Sequence, residues 1–191
     1  MRTLLIGGAR SGKSALAQRW ANERSSAVCT LVTGTESDPE MTARIAAHRR
    51  ERPAHWSVRE EPVHLGHALR ETAASMSAPP PAALNSTTAC VVLVDCLTLW
   101  ISNCLWPPDL STVDADYTVW RRERTDFLDA LASCNSDVII VTNEVGTGIV
   151  PDNAASRAFR DEQGWLNQAV AAVCDEVFFV TAGLPLRLKP Q

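Results

Sequence analysis

The sequence predicts an α/β protein whose mostly parallel sheet carries helices on both faces. Three observations lead there. Short apolar runs alternate with helical patterns along the chain. The runs Ala27–Thr33, Cys90–Val94 and Asp137–Thr142 are nearly continuous in apolar and β-branched residues, as strands covered on both faces are. A glycine-rich stretch, Gly7-Gly-Ala-Arg-Ser-Gly-Lys-Ser14, lies between an apolar run and a helical pattern.

At 191 residues the chain is read as one domain spanning 1–191, large enough to bury a core. Its 46% hydrophobic and 21% charged residues are ordinary for a globular protein. A net charge of −4 argues against nucleic acid as the main partner. No apolar run approaches a membrane span, and no signal peptide precedes the glycine-rich stretch, so a cytoplasmic protein is expected. Cys29, Cys90, Cys96, Cys104, Cys134 and Cys174 form no CxxC pair. They read as reduced, partly buried thiols rather than zinc ligands. No internal repeat is visible.

Leu4–Ile6 is the first strand, and Ser14 to about Glu23 the first helix. Between them, the spacing Gly7-x4-Gly12-Lys13-Ser14 fits the P-loop template. Glycines there let backbone N–H groups converge on a phosphate, and the helix adds its N-terminal partial charge. Lys13 suits the β- and γ-phosphates of a nucleotide, and Ser14 suits Mg²⁺. Ala27–Thr33 is the second strand. It ends at Thr33-Gly-Thr35, where two readings stand: hydroxyls facing a nucleotide, or a plain turn.

Asp38, Pro39 and Glu40 form a helix-start signal, and the helix runs through Met41–Arg50 until Pro53. Arg44, His48 and Arg52 are spaced i, i+4, i+8, with Arg49 and Arg50 alongside. Such a face either binds phosphate or is merely a solvated basic stripe. Neighbouring positive charge favours a neutral, nucleophilic imidazole at His48. Trp56–Glu60 reads as a short strand, and Leu65–Met76 as a helix with Leu65, Ala68, Leu69, Thr72 and Ala73 inward. His64 and His67, at i and i+3, are a weak metal signal beside exposed or capping roles. Ser77–Ala89 is Pro-rich and reads as a surface loop.

Cys90–Asp95 is an apolar strand closed by a carboxylate, the pattern of a Mg²⁺-associated acid in P-loop proteins. Cys96–Trp106 continues as an apolar helix to Pro107-Pro108. Asp109–Asp116 reads as loop, and Tyr117–Cys134 as an amphipathic helix with Trp120, Phe127, Leu128 and Leu131 inward. The strand Asp137–Thr142 delivers Asn143–Pro151 to the same sheet edge, for ligand contact or as a simple glycine turn. Asn153–Val173 is a helix capped by Asp152 or Asn153, Asp175–Thr181 a last strand, and Ala182–Lys189 an added edge strand.

Five stretches in this order, Gly7–Ser14, Asp38–His48, Arg52–Trp56, Val94–Thr98 and Val141–Pro151, resemble the bifunctional adenosylcobinamide kinase / adenosylcobinamide-phosphate guanylyltransferase family. The resemblance covers nearly the whole chain. It implies a RecA-like P-loop fold, a homotrimer, GTP and ATP as nucleotides, and Mg²⁺. It implies phosphorylation of adenosylcobinamide, then transfer of GMP from GTP to adenosylcobinamide phosphate through a guanylylated histidine. The matching position is His48. Together with the P-loop reading, the expected catalytic residues are His48 and Lys13. The expected nucleotide contacts are Gly7, Gly8, Ala9, Arg10, Ser11, Gly12, Lys13, Ser14, Thr33, Gly34, Thr35, Arg49, Arg52, Glu60 and Asp95. Ser14 and Asp95 are the expected metal ligands. The Pro-rich loop and the tail after Thr181 depart from the family pattern without touching a motif. A plain P-loop small-molecule kinase without the covalent step, or a nucleotide-dependent switch, are the competing readings.

Overall fold

A computed structural model describes residues 1–35, 39–77, 90–106 and 117–189; of Glu40, Arg44, His48, Glu51 and Ser77 only the backbone is described. The Asp38 cap and the loops expected over 78–89 and 109–116 lie outside the described residues.

The chain alternates strand and helix: β1 (Arg2–Gly7), α1 (Lys13–Arg24), β2 (Val28–Val32), α2 (Pro39–Glu51), β3 (Ser57–Glu60), α3 (Leu65–Ser77), β4 (Val91–Asp95), α4 (Leu97–Leu105), α5 (Thr118–Ser133), β5 (Asp137–Asn143), α6 (Ala154–Val173), β6 (Glu176–Thr181) and β7 (Leu184–Lys189). One sheet holds all these strands in the order β3-β2-β4-β5-β1-β6-β7. Every pairing is parallel except β6 with β7. That hairpin turns on Ala182 and Gly183, both at positive φ (50° and 78°), a turn whose twist suits adjacent antiparallel strands.

The apolar strands are buried because helices cover both sides, but unequally. On one side α3, α4, α5 and α6 pack on Leu4, Val92, Val94, Val138 and Ile140. Trp100 lies at its centre, 5.2 Å from the Trp120 ring and 5.1 Å from Phe127, and its indole N–H donates to the Val63 carbonyl at 2.7 Å. These aromatics bury large areas while their polar atom stays satisfied. On the other side α1 packs Leu16, Ala17 and Ala21 on Leu5, Leu93, Ile139 and Val141.

The register fixes what the site is made from. Val32 pairs with both Glu60 and Asp95, and Val141 pairs with both Asp95 and Leu5. Glu60, Val32, Asp95, Val141 and Leu5 therefore form one row across five strands, at the last residues of β3, β2 and β4 and two residues before the ends of β5 and β1. A small cavity of about 200 Å³ between α3 and α5, lined by Arg70, Ala73, Ala130 and Ser136, leads into β5 at the opposite edge.

Candidate active site

The carboxyl ends of β1, β2, β4 and β5 open into a cleft of about 970 Å³. Its size suits a nucleotide. One wall is the glycine-rich loop, Ala9 to Ser14. Gly12 begins α1 at φ 94°, a conformation that costs a residue with a Cβ. The loop is packed from below by the last hairpin. A Cβ on Gly7 would lie 2.2 Å from the Val180 carbonyl oxygen, and the Gly183 N–H donates to the Ser11 carbonyl at 2.9 Å.

Lys13 is buried within this wall. Its ammonium donates to the Gly8 carbonyl at 2.6 Å and to Ser11 Oγ at 3.3 Å. Burial lowers its pKa, opposed by the charges of Cys96 and Asp95. A desolvated ammonium in a concavity of amides is a ready counter-charge for phosphate.

The opposite wall comes from α2 and the residue after it. Met41, Ala43, Ile45, Ala47 and Arg49 of α2 line the cleft, as does Arg52. The backbone of His48 lies in this helix, and its side chain lies outside the description. Arg52 follows the helix end, so it leaves the helical stripe and turns inward: Nη2 stands 4.0 Å from Asp95 Oδ2, and both side chains are largely buried. Arg52 Nε is buried and finds no partner among the described residues. Burial lowers the guanidinium's pKa, Asp95 opposes that, and Arg49 adds to it. Arg49 Nη2 reaches Glu60 Oε1 at 2.5 Å, so two expected nucleotide contacts pair with each other across the rim.

The floor is the sheet edge. Gly34, Thr35, Asp95, Cys96, Thr98, Val141 and Asn143 line it. Thr33, by contrast, is fully buried. Its hydroxyl donates to the Cys96 carbonyl at 2.6 Å and accepts from the Cys96 N–H at 3.1 Å, clamping the end of β2 to that of β4. Asn103 adds to the clamp by donating to the carbonyls of Thr33 and Pro62.

Beneath Asn143 lies a buried polar network. Thr98 Oγ1 accepts from the Asn143 N–H at 2.9 Å, and Asn167 Nδ2 donates to the Asn143 carbonyl at 3.0 Å. Asn167 Oδ1 in turn accepts from Thr142 Oγ1 (2.8 Å) and Gln163 Nε2 (3.0 Å). The Glu144 N–H donates to the Gly7 carbonyl at 3.0 Å, tying this loop to the glycine-rich one. Asn153 caps α6 by accepting from the Ser156 N–H at 2.7 Å.

All the expected nucleotide contacts from Ala9 to Ser14, with Gly34, Thr35, Arg49, Arg52, Glu60 and Asp95, line one cleft. Gly7 supports the loop from within the sheet, and Gly8 supplies its carbonyl to Lys13. Sequence reasoning missed Cys96, Thr98 and Leu99 as cleft residues, and left Asn143 without a contact. The signal was present, since all follow strands ending at this edge. His64 and His67 do not converge: His64 Nδ1 meets Glu123 at 3.1 Å and His67 Nε2 meets Glu71 at 3.3 Å.

The profile of the family described as cobinamide kinase / cobinamide phosphate guanyltransferase matches residues 3–188. A bifunctional adenosylcobalamin biosynthesis protein of Pseudomonas aeruginosa is 44% identical over 191 residues, covering 100% of this chain and 99% of its own. The protein so named in Escherichia coli is 36% identical over 195 residues, covering 99% and 100%. Among solved structures, an ATPase of a bacterial type III secretion system superposes with a TM-score of 0.51 at 12% identity, over 94% of this chain and 52% of that one. A Pyrococcus horikoshii protein gives 0.51 at 10% identity, over 99% and 86%. These structural likenesses concern the fold alone, which is of the RecA-like P-loop kind.

Proposed function

Because the chain belongs to the cobinamide kinase / cobinamide phosphate guanyltransferase family, and so carries that family's two activities, we propose how its residues divide the work. The chain acts as one nucleotide-binding domain over 1–191. The nucleotide lies in the cleft, with its phosphates on the amides of Gly8 to Ser14 and on Lys13. Thr35, Arg52 and Asp95 face it from the floor and far wall. What supports this is the convergence of loop, ammonium and two arginines on one cleft.

Mg²⁺ fits the donor set, since Ser14 and Asp95 supply hard oxygen ligands and both line the cleft. When bound, it neutralises phosphate charge. The chain's own part is positioning: Lys13 holds the phosphates and the sheet edge orients the acceptor hydroxyl of adenosylcobinamide, on which the γ-phosphoryl group of ATP or GTP is transferred.

In the second reaction an imidazole nitrogen of His48 attacks the α-phosphorus of GTP. The bond to the β-phosphate oxygen breaks and pyrophosphate leaves, its charge met by Arg49 and Arg52. A phosphate oxygen of adenosylcobinamide phosphate then attacks the same phosphorus, and the N–P bond breaks to free His48. The single observation that carries this is the position of His48 in a helix whose neighbours Ala47 and Arg49 line the cleft. The test is GTP labelled at the α-phosphate, with His48→Ala beside the wild type. Acid-labile, base-stable label on the wild type alone supports the histidine adduct. Absence of label, with nucleotide bound, leaves the plain kinase.

Two further statements belong to this reading, the first expected from the sequence and the second from the family resemblance. The protein works in the cytoplasm; among the described residues, no helix is long and apolar enough to cross a membrane. It works as a homotrimer, and the exposed Leu184, Leu186 and Leu188 of β7 are apolar surface that an oligomer would cover. Sedimentation at working concentration tests the assembly.

A further inference from the structure

The loop from Asn143 to Pro151 carries an exposure that the fold does not explain. Ile149 is 98% exposed and Val150 63%. Single exposed aliphatic residues are common, whereas contiguous exposed apolar surface marks a place where something binds. Both ends of this loop are tied down. At its start, the Glu144 N–H is bonded to the Gly7 carbonyl and the Glu144 carboxylate accepts from the Gly146 N–H at 2.6 Å. At its end, Arg157 Nη1 donates to the carbonyls of Pro151 (2.9 Å) and Asp152 (2.8 Å). A braced loop therefore presents an isoleucine and a valine to solvent.

Its place gives the exposure meaning. The loop begins at Asn143, which lines the cleft and pairs in register with Gly7, the first residue of the glycine-rich loop. The aliphatic pair follows Asn143 by six and seven residues on the loop that leaves the carboxyl end of β5, the side of the sheet on which the cleft opens. In the functional reading above, a nucleotide fills that cleft of about 970 Å³. The acceptors of the two reactions share a broad macrocycle and a thin arm, which ends in a hydroxyl in the first and in its phosphate in the second. Only the arm can enter beside a nucleotide, so the macrocycle has to rest on the rim. We propose that Ile149 and Val150 form the platform on which the corrin macrocycle of the acceptor lies, while its arm reaches from there to the phosphates held by Lys13. This rests on the functional reading above.

The test is equilibrium dialysis of cobinamide, followed by its own visible absorbance, against wild type, Ile149→Ser, Val150→Ser and the double variant. Val58→Ser, exposed on the edge strand β3, is the control. GTP affinity, phosphorylation rate and sedimentation are measured on each protein. Because both side chains are exposed, the variants keep the fold. Burying one such aliphatic is worth about tenfold in affinity, so the expected result is weaker cobinamide binding by about tenfold for each single variant. GTP affinity and sedimentation stay unchanged, and Val58→Ser behaves as wild type. Unchanged cobinamide affinity in the double variant overturns the platform. So does a loss of affinity that comes with a change in sedimentation, because the loop is then a contact between copies. Wild type that binds cobinamide on this loop without phosphorylating it sinks the functional reading and keeps the platform; wild type that binds no cobinamide sinks both.

Discussion

Arg52 Nη2 and Asp95 Oδ2 stand 4.0 Å apart in the wall of the cleft, both side chains largely withdrawn from water. At that distance they form an ion pair with room to open, and Arg52 Nε is left without a partner among the described residues. A guanidinium so held is poised for oxygen ligands of another kind. Arg52→Ala is expected to lower kcat/KM for guanylyl transfer about 100-fold, in the range that one lost transition-state donor costs. Arg52→Lys recovers only part, because an ammonium lacks the planar fork. Steady-state kinetics of both reactions check this; equal rates for all three proteins would make the pair purely structural.

Gly7 and Gly8 are adjacent but predict opposite outcomes. A Cβ on Gly7 meets the Val180 carbonyl oxygen at 2.2 Å, a backbone atom that cannot swing away, whereas one on Gly8 meets nothing within 4 Å. Gly7→Ala is expected to cost about 3 kcal/mol or more and to abolish GTP binding. Gly8→Ala is expected to fold with near wild-type stability. Urea denaturation and a nucleotide titration on the two variants check the contrast.

Asn167 holds Asn143, Thr142 and Gln163 at once. Asn167→Leu leaves those three groups without it in a buried setting, an expected loss of about 3 kcal/mol. The Asn143 carbonyl is then released at the cleft edge, so turnover falls too. Chemical denaturation gives the first quantity, and kcat at saturating substrates the second.

Asp175 ties the start of β1 to the end of α6. Its carboxylate takes hydrogen bonds from the Arg2 side chain and, at 2.6 Å, from the Arg2 backbone N–H. The Arg2 side chain, then its backbone N–H, holds the carboxyl down to about 2, from an ordinary 3.8. A depressed carboxylate contributes stability that is complete above its unfolded pKa and is lost as pH falls through the folded one. The contribution, about 1 kcal/mol after solvent screening, is therefore lost between pH 3.8 and about 2. Asp175→Asn is expected to be less stable than wild type at pH 6 by about that amount and equal to it at the acid end. Thermal unfolding across this range checks the sign.

Cys96 lines the cleft beside Asp95, yet its burial, with the neighbouring carboxylate, pushes the thiol up to about 11. The nucleophilic thiolate is therefore scarce near neutrality. Iodoacetamide at about pH 7.5 is expected to leave Cys96 unmodified and activity intact over the time that a free thiol reacts fully. Mass spectrometry of the treated protein checks this.

Much of this protein is written locally. Strand and helix positions follow from apolar periodicity and from glycine and proline punctuation, so the sequence alone predicts β1 to β7 nearly to their ends. The glycine-rich loop, Lys13, and the acid closing β4 are short-range patterns for the same reason: spacing within a few residues dictates their shape. The family resemblance drew on equally local strings. His48 was legible only through that resemblance, since a basic helix face by itself has two readings.

What no local pattern carries is which distant segments meet. The order that places β5 between β1 and β4 depends on packing summed over the whole sheet. So does the row that levels Glu60, Asp95 and Leu5. Thr33 reads as a ligand contact in sequence because it ends a strand. Only the fold commits its hydroxyl to Cys96, as burial leaves a polar group no choice but its nearest backbone. The hairpin beneath Gly7, Asn167 under Asn143, and Arg52 turned from its helix toward Asp95 are likewise long-range. Each is fixed by burial and hydrogen-bond satisfaction between segments far apart in the chain. The sequence thus determined the chemistry this protein carries, and the tertiary structure decided which side chains deliver it and which hold the others in place.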